Sequence, residues 1–154
     1  MNDQTPALNA KKILVVDDNR IILRTVTLAL QPKGYKVLTA LGGPETLSAV
    51  RQEKPDLILL DINFPPDMAN IGGPLRDGFY IIEWLRRAPE AEKIPIIIIS
   101  STDPARYKDR AAAAGVAACI HKPIDNNKLL EAIHTALGEE TGGRQSDPPT
   151  DFEV

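Results

Sequence analysis

The sequence predicts an α/β domain: a doubly wound parallel sheet of five strands with helices on both faces. Two observations carry that expectation. Short apolar runs rich in β-branched residues alternate with segments of helical period from about residue 11 to 138, the pattern of repeated βα units joined by right-handed crossovers. Four of these runs also deliver a polar, reactive group at the same end. Ile13-Leu14-Val15-Val16 ends on Asp17 and Asp18, and Leu57-Ile58-Leu59-Leu60 ends on Asp61. Ile96-Ile97-Ile98-Ile99 ends on Ser100 and Ser101, and Ala117-Ala118-Cys119-Ile120-His121 ends on Lys122-Pro123. As parallel strands of one sheet, they bring these groups together at its carboxyl edge, where open α/β sheets place their sites.

Each element has a local reason. Lys12–Val16 is a buried strand by its apolar, β-branched content. Asn19 caps a helix over 20–31, with Ile22, Val26, Ala29 and Leu30 at helical spacing and Pro32 and Gly34 stopping it. Residues 35–39 form the second strand. The Gly42-Gly43-Pro44 turn starts a helix over 44–52, since proline suits a first turn. Pro55 precedes the strand ending at Asp61. Residues 62–77 hold Pro65, Pro66, Pro74, Gly72 and Gly73 without a period, and predict a long loop of the functional kind. A helix over 78–87 turns Phe79, Ile82 and Leu85 inward and ends on Arg86-Arg87, charges that complement its dipole. A strand over 94–99 follows. Thr102 or Asp103 caps a helix over 104–114 that stops at Gly115. A strand over 117–121 leads to a helix capped by Asp125, with Leu129, Leu130, Ile133 and Leu137 on one face and Gly138 at its end. Trp84 belongs to helix packing. Residues 1–10 are a polar, flexible lead-in, and 139–154, with Gly-Gly, Pro-Pro and scattered charges, predict a disordered tail.

Composition narrows the function. Hydrophobic residues at 43% and charged residues at 25% of 154 are those of one globular domain with a real core. A net charge of −3 gives no reason to expect direct nucleic-acid binding. Cys119 is the only cysteine, so no internal disulfide forms, and a small buried hydrophobe is its expected role. No signal core is present, and the apolar runs fall far short of the ~20 residues that span a bilayer. A cytoplasmic protein without membrane insertion is the expectation.

Three carboxylates, a hydroxyl and an ammonium at one sheet edge suggest Mg²⁺-assisted phosphoryl transfer. Asp17, Asp18 and Asp61 crowded together would repel one another, which a divalent cation relieves, and Mg²⁺ prefers oxygen ligands. Asp61 could be ligand and nucleophile at once, because a carboxylate can attack phosphorus to give an acyl phosphate. Lys122 is a compact cation suited to a phosphoryl oxygen. Ser100 could donate a hydrogen bond to another, and the backbone carbonyl of Asn63 offers a further metal ligand. His121 and His134 fit no metal-ligand pattern.

The four runs with their terminal groups, in this order and spacing over about residues 11 to 137, resemble the receiver domain of two-component response regulators. The resemblance implies a flavodoxin-like (βα)₅ fold with strand order 2-1-3-4-5. Asp61 matches the phosphoacceptor, and Asp17 and Asp18 the metal pair, Asp18 being the direct ligand. Ser100, five residues after Pro95, matches the switch hydroxyl ahead of its neighbour Ser101. Lys122 matches the family's lysine before a cis proline, an isomer that proline makes accessible. Two departures stand out. Cys119 occupies the place of an aromatic that usually moves with the hydroxyl, so activation takes another route here. An insertion of roughly nine residues separates Asp61 from the Asp77-Gly78 that matches the end of the family's short turn, and insertions of this kind are often functional.

The resemblance implies a stand-alone receiver. A histidine kinase or histidine phosphotransfer protein passes a phosphoryl group to Asp61, and the helix 4, strand 5 and helix 5 face then changes its partner binding. The chain is not an enzyme beyond its own phosphorylation and dephosphorylation, Thr102 and Asn63 tune the lifetime of the phosphoryl group, and a homodimer is compatible with the family. Two rivals remain at this point. A haloacid-dehalogenase-like phosphatase shares the Asp, Ser, Lys and Mg²⁺ but wants a second Asp where Asn63 stands. A pseudo-receiver interaction module would keep the fold without the chemistry.

Overall fold

The computed structural model describes residues 10–62 and 79–138. Five strands, β1 (Lys12–Val16), β2 (Lys36–Ala40), β3 (Leu57–Asp61), β4 (Ile96–Ser100) and β5 (Ala118–His121), form one sheet in the order β2-β1-β3-β4-β5. Every pairing is parallel. This is the predicted doubly wound, flavodoxin-like arrangement. The helices are α1 (Arg20–Leu30), α2 (Gly43–Glu53), α3 (Phe79–Arg87), α4 (Lys108–Ala113) and α5 (Asn126–Leu137).

Side chains alternate across a strand, and the two faces sort cleanly. Leu14, Val16, Ile58, Leu60, Ile96 and Ile98 pack with Val50 of α2, Ile81, Ile82 and Leu85 of α3, and Ala111 of α4. Ile13, Val15, Leu57, Leu59, Ile97 and Ile99 pack with Leu23, Val26 and Leu30 of α1 and Leu129 and Ile133 of α5. Burying a Leu or Ile side chain contributes about 1.5–3 kcal/mol before entropy is counted. The three central strands therefore form a stiff slab that fixes what their ends present. Among the described residues no helix is long and apolar enough to cross a membrane.

Local chemistry sets the ends. Asn19 caps α1 by accepting the Ile21 and Ile22 N–H groups at 2.8 and 3.4 Å. Asp125 caps α5 through Asn127 and Lys128 at 2.9 and 3.3 Å. Gly138 closes α5 at φ 74, a left-handed value that glycine adopts freely. α2 starts one residue earlier than predicted. Gly43 is helical and lies under Trp84, whose ring would stand 3.1 Å from any Cβ placed there.

Several bounds differ from the sequence expectations. β2 and β4 lie one to two residues later than predicted, because Lys36 pairs with Lys12, and Ser100 still pairs with His121. Leu23 is buried although it fell outside the predicted stripe of α1. The α-helix ends at Leu30, a 3₁₀ turn over Gln31–Lys33 follows, and Gly34 at φ 96 closes it, so the predicted stop holds with one added turn. The helix expected over 104–114 is broken. A 3₁₀ turn, Pro104–Arg106, is capped by Asp103, and Tyr107 at φ −133 and ψ 11 interrupts the chain before α4 begins.

Arg86 does more than balance a dipole. Its guanidinium donates to the carbonyls of Ala91, Glu92 and Ile94 and of Ala114 and Gly115, at 3.0 to 3.4 Å. It therefore ties the end of α3 to the segment entering β4 and to the turn after α4. Burial lowers its pKa from the usual arginine value.

Candidate functional site

The strand order reverses its direction of growth between β1 and β3, and at such switch points the crevice outside the strand ends is the usual site. Register sets the occupants. Val16 pairs with Leu60, so Asp17 and Asp61 end adjacent strands side by side. Asp61 pairs with Ile99 and Ser100 with His121, which brings the hydroxyl and lysine strands to the same edge.

Asp17 and Asp61 are 2% and 3% exposed, and Ser100 is fully buried, so these are interior polar groups at the mouth of a sheet. Asp18 is half-buried beside them. One carboxylate oxygen from each of Asp17, Asp18 and Asp61 lies within 4.8 Å of the others. Lys122 Nζ stands 3.7 Å from Asp17 Oδ2 and 3.5 Å from Asp61 Oδ2, bridging the pair. Asp17 Oδ1 also accepts the Asn19 N–H at 2.8 Å, and the Asp17 N–H donates to Ala40 at 3.1 Å. Burial first, then the Asp61 charge, raises Asp17 from 3.8 to about 7, against the opposing pull of the Asn19 N–H and Lys122. Two buried acids sharing one ammonium hold more negative charge than the protein alone neutralises.

The hydroxyl side is arranged differently. Ser100 Oγ accepts the Thr102 N–H at 2.8 Å, and the Lys122 N–H donates to the Ser100 carbonyl at 2.8 Å. The Lys122-Pro123 bond is cis. Ser101 is exposed, and its carbonyl lies 3.2 Å from His121 Nε2. Of the two serines, the interior one is therefore Ser100. His134 packs beside Tyr35, away from the acidic corner. Trp84 packs against Tyr80 at a tilt of 50° with centroids 5.6 Å apart, yet keeps nearly half its surface exposed.

Asp17, Asp18, Asp61 and Lys122 thus come together, and Ser100 ends the strand beside Asp61. The expectation for the Asn63 carbonyl, like those for the 62–77 loop and the tail, falls on residues beyond Ile62 and Gly138 that lie outside the described set. One residue near the site escaped the sequence reading. Tyr107 is buried among α3, β4 and β5, and its hydroxyl faces Ser100 and Cys119. Its signal was a lone aromatic four residues before Ala111 in an otherwise polar and small segment.

The likenesses to known proteins agree with this geometry. Protein PilH of Pseudomonas aeruginosa is 32% identical over 126 residues, 82% of this chain and 97% of PilH. The polar-differentiation response regulator DivK of Brucella anthropi is 28% identical over 129 residues, 84% of this chain and 98% of DivK. Among solved structures, the chemotaxis response regulator CheY4 of Vibrio cholerae superposes with a TM-score of 0.71 at 27% identity, covering 84% of this chain and all of CheY4. A family profile described as the response regulator receiver domain matches residues 13–134. With an acidic corner at the switch point of a β2-β1-β3-β4-β5 sheet and that match over most of its length, the chain belongs to the response regulator receiver domain family.

Proposed function

We propose that this receiver takes a phosphoryl group onto Asp61, with Mg²⁺ bound, from the phosphohistidine of a histidine kinase or a histidine phosphotransfer protein. The observation that carries the proposal is the corner itself: buried Asp17 and Asp61, Asp18 beside them, and one ammonium 3.5 Å from Asp61.

The donor set fits Mg²⁺. It is all oxygen, and three carboxylates against one ammonium leave a negative excess in a buried place. Asp17, Asp18 and Asp61 would hold the ion. When bound, Mg²⁺ supplies positive charge against the acids and the incoming phosphoryl oxygens. Asp61 does the chemistry. One of its carboxylate oxygens attacks phosphorus, the P–N bond breaks with its electron pair going to the imidazole nitrogen, and the ring, protonated beforehand from solvent at its other nitrogen, leaves as neutral imidazole. Lys122, already beside Asp61 Oδ2, pairs with an oxygen of the new acyl phosphate. Ser100 turns its O–H to another.

The modified state then shifts the population of conformers at α4, β5 and α5, and a downstream protein binds there. The chain turns over no metabolite. It acts on itself alone, gaining the phosphoryl group and losing it to water, and it works in the cytoplasm with its kinase. Intact mass after incubation with Mg²⁺ and acetyl phosphate tests this. The expected result is one added phosphoryl group that requires Mg²⁺ and is absent from Asp61→Asn. An unmodified chain that consumes no acetyl phosphate would instead identify a pseudo-receiver.

A further inference from the structure

The hydroxyl side of the site contains a group that phosphoryl transfer does not use. Tyr107 stands at the break between the Pro104–Arg106 turn and α4. Its side chain is 6% exposed, and its ring meets Phe79 edge-on with centroids 6.0 Å apart. Phe79 also meets Arg110 of α4, whose guanidinium carbon lies 4.1 Å above the ring centroid. The Tyr107 hydroxyl is buried and completes no hydrogen bond among the described residues. The polar side chains acting on it are those of Ser100 and Cys119, with the Asp103 charge a weaker influence. Burial, and the Cys119 side chain after it, push the phenol up to about 12, so it stays an O–H donor at neutral pH.

A buried hydroxyl without a completed hydrogen bond is uncommon in a native structure and calls for a physical reason. The packing supplies one. Cys119 is a small residue on β5, and Tyr107 and Cys119 belong to the same core cluster. Interiors are close-packed, so a small residue on one element leaves volume for a large one on its neighbour. The ring on α4's doorstep therefore reaches the wall that Ser100 forms. Ser100 Oγ accepts the Thr102 N–H at 2.8 Å and gives its own O–H to the Thr102 carbonyl at a long 3.5 Å, a weak bond that a phosphoryl oxygen would replace.

We propose that Tyr107 is a positioning residue that couples Ser100 to α4: when Ser100 donates to a phosphoryl oxygen on Asp61, its Oγ accepts the Tyr107 O–H, and the ring carries α4 with it. The coupling rests on Asp61 being the phosphoacceptor. Before phosphorylation the Tyr107 hydroxyl waits without a completed bond. Afterwards it is the second link of a short relay, phosphoryl oxygen to Ser100 to Tyr107. Because Tyr107 directly precedes Lys108, and Arg110 lies on the ring that Tyr107 packs against, a small shift of the phenol moves the first turn of α4.

The test uses the full chain carrying 3-fluorotyrosine, whose tyrosines at 35, 80 and 107 are assigned by single Tyr→Phe changes. Fluorine spectra are recorded before and after Mg²⁺ and acetyl phosphate, with the adduct followed by intact mass. The Tyr107 resonance should move as the adduct forms, and that of Tyr35 should stay. Tyr107→Phe, which keeps the ring and removes the hydroxyl, should take up the same phosphoryl group. Its Lys108–Ala113 amide shift changes on phosphorylation should fall at least twofold. A merely structural Tyr107 would leave those changes intact. An adduct with an unmoved Tyr107 resonance, or undiminished α4 changes in Tyr107→Phe, would overturn the coupling and leave the receiver function standing. No adduct and no consumption of acetyl phosphate would overturn both.

Discussion

The two halves of the carboxyl edge are built on different plans. On the β1–β3 side each acid is pinned. Asp17 is held through its own N–H, through the Asn19 N–H and through Lys122, and Asp61 ends a strand buried at every position. On the β4–β5 side the chain breaks into a 3₁₀ turn, a single non-helical tyrosine and a helix of six residues. That half carries a buried hydroxyl with no completed hydrogen bond among the described residues. The contrast separates chemistry from response. Attack on phosphorus needs carboxylates that do not move. A signal needs an element whose alternative arrangement lies close in free energy, and such elements come from the weakly held parts of a fold.

The comparison can be broken most severely at Lys122. Lys122→Met removes the ammonium that bridges Asp17 and Asp61. Phosphoryl uptake should fall on the order of 100-fold, as when a preorganised charge is deleted from a site. Mg²⁺ affinity should hold or rise, since a competing cation is gone. Uptake rates by mass and a Mg²⁺ titration separate the two effects, and a matching loss of metal affinity would place Lys122 in the metal site instead.

Next in size is a pH effect confined to the acid half. Asp17 titrates at about 7 in the folded chain against 3.8 ordinarily, so the folded state keeps a proton that the unfolded chain has released. The stability from this group is complete below about pH 4 and is lost as pH rises through about 7, on the order of 4 kcal/mol. Urea midpoints of the metal-free chain should therefore be lower at pH ~8 than at pH ~5. Asp17→Asn should flatten that slope, and Mg²⁺ should stabilise more at the higher pH, where it meets no competing proton. Parallel profiles for the two chains would assign the slope to other groups.

Arg86 tests whether the hydroxyl half has its own anchor. Arg86→Ala strips a donor from five carbonyls on two segments. It should cost about 2–3 kcal/mol, against less than ~0.5 for Arg87→Ala, whose side chain is exposed. The smallest effect is expected at Tyr107. Tyr107→Phe deletes a buried hydroxyl that completes no bond among the described residues, so the unphosphorylated chain should gain up to about 1 kcal/mol. A loss of that size would mean the hydroxyl already has a partner.

The acid half was largely legible in the sequence, and on the hydroxyl half Ser100 and the cis Lys122-Pro123 bond were legible while the chain path after Thr102 was not. Leu57–Asp61 declares itself locally, because an apolar run closing on one carboxylate needs no distant information. Asn19 and Asp125 were legible as caps for the same reason. The break at Tyr107 was hidden because Pro104 suits a first helical turn and the alanines after it keep a helical period, so only tertiary packing of the ring decides. Arg86 was hidden too, since its carbonyl partners lie from five to 29 positions away in the chain. Cys119 was legible as a departure, but Tyr107, buried in the same cluster, comes from another element.

The central claim is that Asp61 is the phosphoacceptor of this corner. Trapping the chain with borohydride after Mg²⁺ and acetyl phosphate reduces a phosphoaspartate to homoserine, and tandem mass spectrometry of the peptides then locates it. Homoserine at position 61 alone, and only when Mg²⁺ was present, is the predicted result. Homoserine at Asp17 or Asp18, or an unmodified Asp61 in a chain that carries a phosphoryl group, would contradict it.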